Sequence, residues 1–273
     1  MIPTLSQVCS LPSTFTQDVQ DYAAGQCGSM DVWLTKLEDF VASHSVDAAR
    51  NVFQEHGVTP RVASFQGGIL SSQGPQRKQA WDLFHARLEL CSQLDIPTLV
   101  VSCDVMGPLT QTDVQRTQTS LVQAAQSAGQ RGMRLGLEFQ ARAAFGNNLQ
   151  TAAAMVEEVG SPHLGLCLDA FHFFIGPSKL EDLRYLTTGN LFHVQLSDLA
   201  DTPREFATDA DRILPGDGDF PLGPLIEHLQ AIQYAGTVSI ELMNPHIWQV
   251  PPLQFGEIGM TALRKLLGQA TMD

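Results

Sequence analysis

Eight short, β-rich apolar runs separated by longer amphipathic stretches predict an α/β chain built as a (β/α)8 TIM barrel. Strands alternating with helices imply βαβ units and a parallel sheet. Eight such units fit a closed barrel better than an open sheet. No Gly/Ser-rich linker or shift of composition divides the 273 residues, which places residues 1–273 in a single domain.

The strands are expected at residues 4–11, 30–34, 59–65, 98–103, 135–139, 164–169, 192–196 and 238–242, each a short run rich in apolar and β-branched residues. Helical spacing is clearest over residues 75–94, where Trp81, Phe84, Leu88 and Cys91 fall three or four apart. Residues 113–128, 150–159, 180–186, 221–233 and 255–267 carry the same periodicity. Beyond the βα alternation there is no internal repeat and no low-complexity segment.

Composition narrows the class of function. Hydrophobic residues make up 44% and charged residues 16%, which is ordinary for a chain with a packed core. No apolar run approaches the roughly 20 residues that span a bilayer, so no membrane partner is expected. Met1-Ile2-Pro3-Thr4 lacks a basic flank ahead of an apolar stretch, so no secretory leader is expected and a cytoplasmic location is. Cys9, Cys27, Cys91, Cys103 and Cys167 are scattered, odd in number and form no CxxC pair, which argues for buried free thiols over disulfides or a thiolate zinc site. With 29 acids against 16 bases the formal charge is −13, a surface that repels a phosphate backbone and excludes nucleic acid as a partner.

Most of those carboxylates solvate the surface. A few stand where a carboxylate is costly. The active site of such barrels is built at the C-terminal ends of the strands. The fifth run, Leu135-Gly136-Leu137-Glu138-Phe139, ends in a glutamate between apolar neighbours, and the sixth ends in Asp169, three residues before His172. The seventh, His193-Val194-Gln195-Leu196-Ser197-Asp198, alternates so that His193, Gln195 and Ser197 share a face, and the eighth ends in Glu241. Four consecutive strands thus offer one oxygen ligand each: Glu138, Asp169, Gln195 and Glu241. Three carboxylates together in a partly desolvated site are unfavourable unless a cation compensates them. An all-oxygen set favours one hard divalent ion, Mn2+ or Mg2+, with Co2+ or Zn2+ as further candidates.

Around this set, His172 is expected on a loop as a substrate contact, and His193 one layer deeper as a hydrogen-bonding support for the ligands. The segment Thr208-Asp209-Ala210-Asp211-Arg212-Ile213-Leu214-Pro215-Gly216-Asp217-Gly218 reads as a turn region, with Arg212 the one cation among acids and a substrate-binding candidate. Its Gly-x-Gly lacks the lysine of a phosphate loop. Trp248, after the eighth strand, reads either as a core aromatic or as a lid over the ligand.

These segments resemble the sugar isomerase/epimerase group of xylose-isomerase-like barrels. Gly136-Leu137-Glu138-Phe139, Leu168-Asp169-Ala170-Phe171-His172-Phe173, residues 208–218 and Ser239-Ile240-Glu241-Leu242 are most similar to inosose isomerases, and the similarity is strongest over residues 136–245. The resemblance implies one metal held by a glutamate, an aspartate, a histidine and a second glutamate, positions that fall on Glu138, Asp169, Gln195 and Glu241. It implies substrate contacts from His172 and Arg212. The strand-seven histidine of that group is Gln195 here. Val194-Gln195-Leu196-Ser197-Asp198 is closer to 3-dehydroshikimate dehydratases, lyases of the same fold. DNA-repair endonucleases of this fold carry histidines on strands three and four that Ala63-Ser64-Phe65 and Val101-Ser102-Cys103 do not offer.

The expected activity is proton transfer beside the carbonyl of a small polyhydroxylated ketone, through an enediolate, with Glu138 and Glu241 as the acid–base pair. A dehydratase forms the same enolate and expels a hydroxyl instead. A non-catalytic sugar-binding barrel is the reading from a different class. Self-association into a homo-oligomer is left open by the sequence.

Overall fold

The computed structural model describes residues 1–269. Eight parallel strands close into a barrel in the order of the chain, β1 (Ile2–Ser6), β2 (Ser29–Trp33), β3 (Thr59–Gln66), β4 (Thr98–Cys103), β5 (Arg134–Phe139), β6 (Leu164–Asp169), β7 (Leu191–Leu196) and β8 (Thr237–Ile240). The fold is the expected one. The helices are α1 (Phe15–Ala24), α2 (Leu34–Ser43), α3 (Val46–His56), α4 (Gly74–Gln93), α5 (Gln111–Gly129), α6 (Leu149–Val159), α7 (Ala170–Ile175), α8 (Leu222–Ala231) and α9 (Pro252–Leu266).

Two compact units make up the chain, residues 62–193 and residues 1–61 with 194–273. In the first, β4, β5 and β6 run in register, Ser102 opposite Glu138 and Glu138 opposite Cys167. All three strands are buried almost throughout, as parallel strands covered on both faces must be. The apolar stripe of α4 packs as its spacing requires: Phe84, Leu88 and Cys91 are buried, while Trp81 is half-exposed and donates its indole N–H to Ile69 O at 3.1 Å.

In the second unit, Leu5 pairs with Met30 and with Ile240, and Ser6 with Asp31. A methyl group added to Gly259 of α9 would meet Leu5 Cδ2 and Ile240 Cδ1, so Leu5 and Ile240 face the helix. Alternation then turns Thr4, Ser6, Ser239 and Glu241 to the barrel interior, and register adds Ser29 and Asp31. Thr4 Oγ1 and Ser29 Oγ, 2.9 Å apart, confirm that facing.

Two expectations are corrected. The first strand ends at Ser6, and residues 7–10 form a 3-10 turn. The carbonyls of Gln7 and Ser10 accept from Lys36 Nζ at 3.4 and 2.7 Å, and Val8 O accepts from Trp248 Nε1 at 2.7 Å, so distant side chains replace a strand ladder. Residues 180–186 form a 3-10 turn over Leu180–Tyr185 rather than an α-helix. The α-helix after β6 is instead the six-residue α7, capped by Asp169. Helices α1 to α3 lie in a region for which no helix was singled out. Thr14 and Ser45 cap α1 and α3, and Gly57, at φ +66°, ends α3 in the left-handed conformation that glycine adopts without strain. All five cysteines are free and buried. No helix among the described residues is long and apolar enough to cross a membrane.

Candidate functional site

Two groups of polar side chains stand at the C-terminal ends of the strands, one in each unit. In residues 62–193, Glu138 is the penultimate residue of β5, Asp169 the last of β6, and His172 lies in the first turn of α7. His172 is therefore helical, not loop-borne. Its position follows from the cap: Asp169 Oδ1 accepts from the backbone N–H of Phe171 at 2.6 Å and of His172 at 3.4 Å. The carboxylate that ends the strand thus starts the helix that carries the imidazole. One ligand atom from each of Glu138, Asp169 and His172 lies within 4.8 Å of the others, and all three residues are buried. His172 Nε2 stands 3.8 Å from Glu138 Oε1.

Two carboxylates and an imidazole gathered out of water form a donor set that a divalent cation satisfies. Gathering two carboxylates out of water is costly, and a cation between them offsets that cost. The residues present fit such an ion. Mixed oxygen and nitrogen donors suit Mn2+, Co2+ or Zn2+ as well as Mg2+.

In residues 1–61 with 194–273, Glu241 directly follows β8 and is clamped from two sides. Gln195 of β7 donates from Nε2 to Glu241 Oε1 at 2.8 Å, and Arg212 donates from Nη1 to Oε2 at 3.2 Å. Arg212 is 1% exposed and is the largest fully buried side chain. Its Nε and Nη2 both donate to Asp209 Oδ1, at 2.9 and 2.7 Å, and its carbonyl accepts from Asn244 Nδ2 at 2.9 Å. A guanidinium with a rigid fork is the group that can hold two carboxylates at once. Cys9 packs beside this cluster, its thiol taking the backbone N–H of Leu242 at 3.2 Å. Burial pushes that thiol well above its ordinary range, and the nearby carboxylates of Glu241 and Asp31 push it the same way.

The segment that presents Arg212 is tied down at Asp198, which sequence reading did not single out. Its Oδ1 accepts from Leu199 N and Phe220 N, and its Oδ2 from Gly216 N, each at 2.9 Å. Its backbone exchanges hydrogen bonds with Ile213 at 2.9 and 3.0 Å. Asn244 and Asp209 were likewise unmarked. The clustering of turn residues over 208–218 hinted at Asp209 alone. His193 is fully buried within β7. Trp248 sits half-buried on a 3-10 turn, Ile247–Gln249, with its indole N–H committed to Val8 O.

A family model described as "Xylose isomerase-like TIM barrel" matches residues 28–266. Among relatives, an inosose isomerase of Halalkalibacterium halodurans is 27% identical over 220 residues, covering 80% of this chain and 78% of its own length. A 3-dehydroshikimate dehydratase of Pseudomonas putida is 27% identical over 192 residues, covering 69% of this chain but 29% of its own. Among solved structures, that of the IolI protein with a binding zinc atom superposes with a TM-score of 0.92 at 21% identity, over 98% of this chain and 99% of that one.

Proposed function

The chain belongs to the xylose isomerase-like TIM barrel family, and on that premise we propose that it is a metal-dependent isomerase or epimerase of a small keto-sugar or keto-inositol. The observation that carries the reading is the buried Glu138–Asp169–His172 group, three titratable side chains with ligand atoms within 4.8 Å of one another. The inosose isomerase relatives support the same substrate class.

Of that group Glu138 and Asp169, together with Gln195 and Glu241, are the proposed ligands of one divalent ion, Mn2+ or Mg2+ before Co2+ or Zn2+, and His172 stands beside them to meet the substrate. When bound, that ion supplies Lewis-acid polarisation of the substrate carbonyl. The protein's own groups move the proton. Glu138 and Glu241 are the acid–base pair, one taking the proton next to the carbonyl and the other returning it through an enediolate. Such a pair contributes about 10²–10⁴-fold. Gln195 and Arg212, both donating to Glu241, keep its carboxylate oriented. His172, Arg212 and Trp248 are the proposed substrate contacts, and His193 supports the ligands from below. A cytoplasmic location suits this chemistry.

A dehydratase is the second reading, favoured by the Gln195-Leu196-Ser197-Asp198 sequence and by the 3-dehydroshikimate dehydratase match. One experiment separates the two. Metal-stripped protein is given Mn2+ or Mg2+ and incubated in deuterated water with keto-inositols, ketohexoses and dehydroshikimate, followed by NMR and ultraviolet absorbance. Isomerisation predicts deuterium at the carbon next to the carbonyl and no new absorbance. Elimination predicts a rising conjugated-enone or aromatic band. No exchange and no absorbance with any of these compounds would sink both.

A further inference from the structure

A cavity of about 460 Å³ lies in the first unit, between the N-terminal ends of α4 and α5. It shares no residue with the Glu138–Asp169–His172 group. Two guanidinium groups, Arg77 and Arg116, line it together with the neutral polar side chains of Gln73, Thr112, Gln115 and Thr119. None of the described residues that line it is acidic. On a chain of formal charge −13, a hollow walled by cations and neutral groups stands apart from its surroundings.

Arg77 is held in place by the fold. Its Nη1 donates to Ile69 O at 3.2 Å and to Ser120 Oγ at 3.0 Å, and its Nη2 donates to Gln123 Oε1 at 3.3 Å. The guanidinium also stands over the Trp81 ring, 5.1 Å from its centroid. All four partners are neutral, so none of them cancels its charge. Arg116 gives one N–H to Asp113 Oδ1 at 2.6 Å, while Asp113 Oδ2 is taken up by Thr110. A guanidinium carries five N–H donors. Nε of each arginine and Nη2 of Arg116 therefore make no hydrogen bond among the described residues. Burial pushes the Arg77 guanidinium below its ordinary range, and the neighbouring Arg116 pushes it the same way. Two like charges are thus held together, a cost that an anion between them relieves. Gln73, the N-cap of the 20-residue α4, supplies no side-chain cap, so the N–H groups of the first turn add to the positive field.

We propose that Arg77 and Arg116 form a binding site for a phosphate-type oxyanion, separate from the strand-end carboxylates and their chemistry. The ligand is free phosphate or the phosphoryl group of a small ester. A tetrahedral dianion takes N–H groups from both guanidiniums at once, a geometry that the planar fork of arginine matches and a lysine does not. Thr112, Gln115 and Thr119 supply neutral donors for the remaining oxygens. Small-molecule pockets span about 300–1,000 Å³, so the cavity has room for an organic group beyond the phosphoryl. The same guanidinium holds Ile69 O, so a bound anion steadies the turn between β3 and α4.

The test uses full-length Mg2+-loaded protein in about 0.15 M KCl, where a Debye length of about 8 Å screens diffuse attraction. Inorganic phosphate and glycerol 3-phosphate are titrated by calorimetry, with glycerol as the neutral control. Saturable binding of at least one anion below about 10 mM is expected, and none of glycerol. Arg116→Gln is expected to weaken that binding about 10-fold, the lower end for a hydrogen bond to a charged group. Its side chain is 25% exposed and makes a single i,i+3 ion pair, so this variant is expected to fold as wild type does. Arg77→Lys keeps the charge but not the fork and is expected to weaken binding several-fold. Arg131→Gln removes an arginine of matching exposure, 26% against 25%, and is expected to bind as wild type does. A preference for glycerol 3-phosphate assigns the site to a phosphate ester, and equal or tighter binding of phosphate assigns it to the free anion. No saturable binding of either anion overturns the proposal. So does a loss in Arg116→Gln no greater than in Arg131→Gln, because the anion would then follow net charge or sit on the Mg2+.

Discussion

Gln195 donates its side-chain amide N–H to Glu241 Oε1 at 2.8 Å. The bond turns the nitrogen of the amide toward the carboxylate and leaves its oxygen directed elsewhere. A hydrogen bond to a charged group contributes about 1.5–3 kcal/mol, so the pairing orients Glu241 as well as anchoring Gln195. Gln195→Ala is expected to lower kcat/KM about 10- to 100-fold, with circular dichroism unchanged. Gln195→His places an imidazole where the proposed ligand is an amide oxygen and is expected to shift preference from Mn2+ toward Zn2+. Competition against a chelating dye reads this directly; an unchanged order of affinities would remove Gln195 from the ligand set.

Arg212 is the other support of Glu241, and its three contacts cannot be reproduced by a point charge. Arg212→Met leaves a buried carboxylate without its cation, a change that costs about 3 kcal/mol. Asp209, about half exposed at 48%, regains water and adds little. For a chain of this length the loss corresponds to a Tm lower by about 6–12 °C. Arg212→Lys keeps the charge but not the fork, and is expected to lower Tm less while raising KM at least tenfold. A Lys variant with wild-type KM would show that Arg212 does not touch substrate.

Legibility along the chain followed how local the forces are. β4, β5 and β6 sit where the apolar runs placed them because strands buried on both faces need a continuous apolar segment, a property each run carries within itself. The strand-end acids Glu138, Asp169 and Glu241 were visible for the related reason that a carboxylate in an apolar run is costly. What could not be read depends on partners far along the chain. Gln7–Ser10 has the look of a strand, yet Lys36 and Trp248 supply its hydrogen bonds. The aromatic run Phe171-His172-Phe173-Phe174 shows no helical stripe, and its helix exists because Asp169 caps it. Asp31 is a lone acid in β2, and its interior position emerges only once its register with Ser6 is known.

Asp198 closes the segment that carries Arg212 by accepting three backbone N–H groups. Asp198→Ala frees all three donors and is expected to expose residues 199–220 to limited proteolysis and to lower kcat/KM more than it lowers secondary-structure content. Gly218 lies against the same carboxylate. A Cβ there would stand 2.5 Å from Asp198 Oδ1 and from Leu199 O, and a backbone carbonyl cannot swing away. Gly218→Ala is thus expected to reproduce the Asp198→Ala cleavage pattern with every donor and acceptor still present. Resistance of both variants to protease would show that the segment holds its shape without this anchor.

The buried thiols give the protein an alkaline limit. Burial pushes Cys103 up to about 12 and Cys27 to about 11, and Cys9 is raised as well. In the unfolded chain a thiol releases its proton near pH 8.5. Between about pH 9 and 11 the native state therefore holds protons that the unfolded state has lost, so stability falls as pH rises, by about 1.4 kcal/mol per pH unit for each such thiol. Below pH 8 both states keep the proton and the stabilisation is complete. Urea unfolding at pH 7, 8, 9 and 10 is expected to show little change over the first step and a steepening loss thereafter. The double variant Cys27→Ala, Cys103→Ala should lose less per pH unit than wild type, whatever its starting stability. At pH 8 a thiol-labelling reagent should modify none of the five cysteines until urea is added, because all are buried and, at Cys9, Cys27 and Cys103, the raised pKa also suppresses the thiolate nucleophile. Labelling of the native protein, or equal pH slopes for wild type and the double variant, would contradict this account.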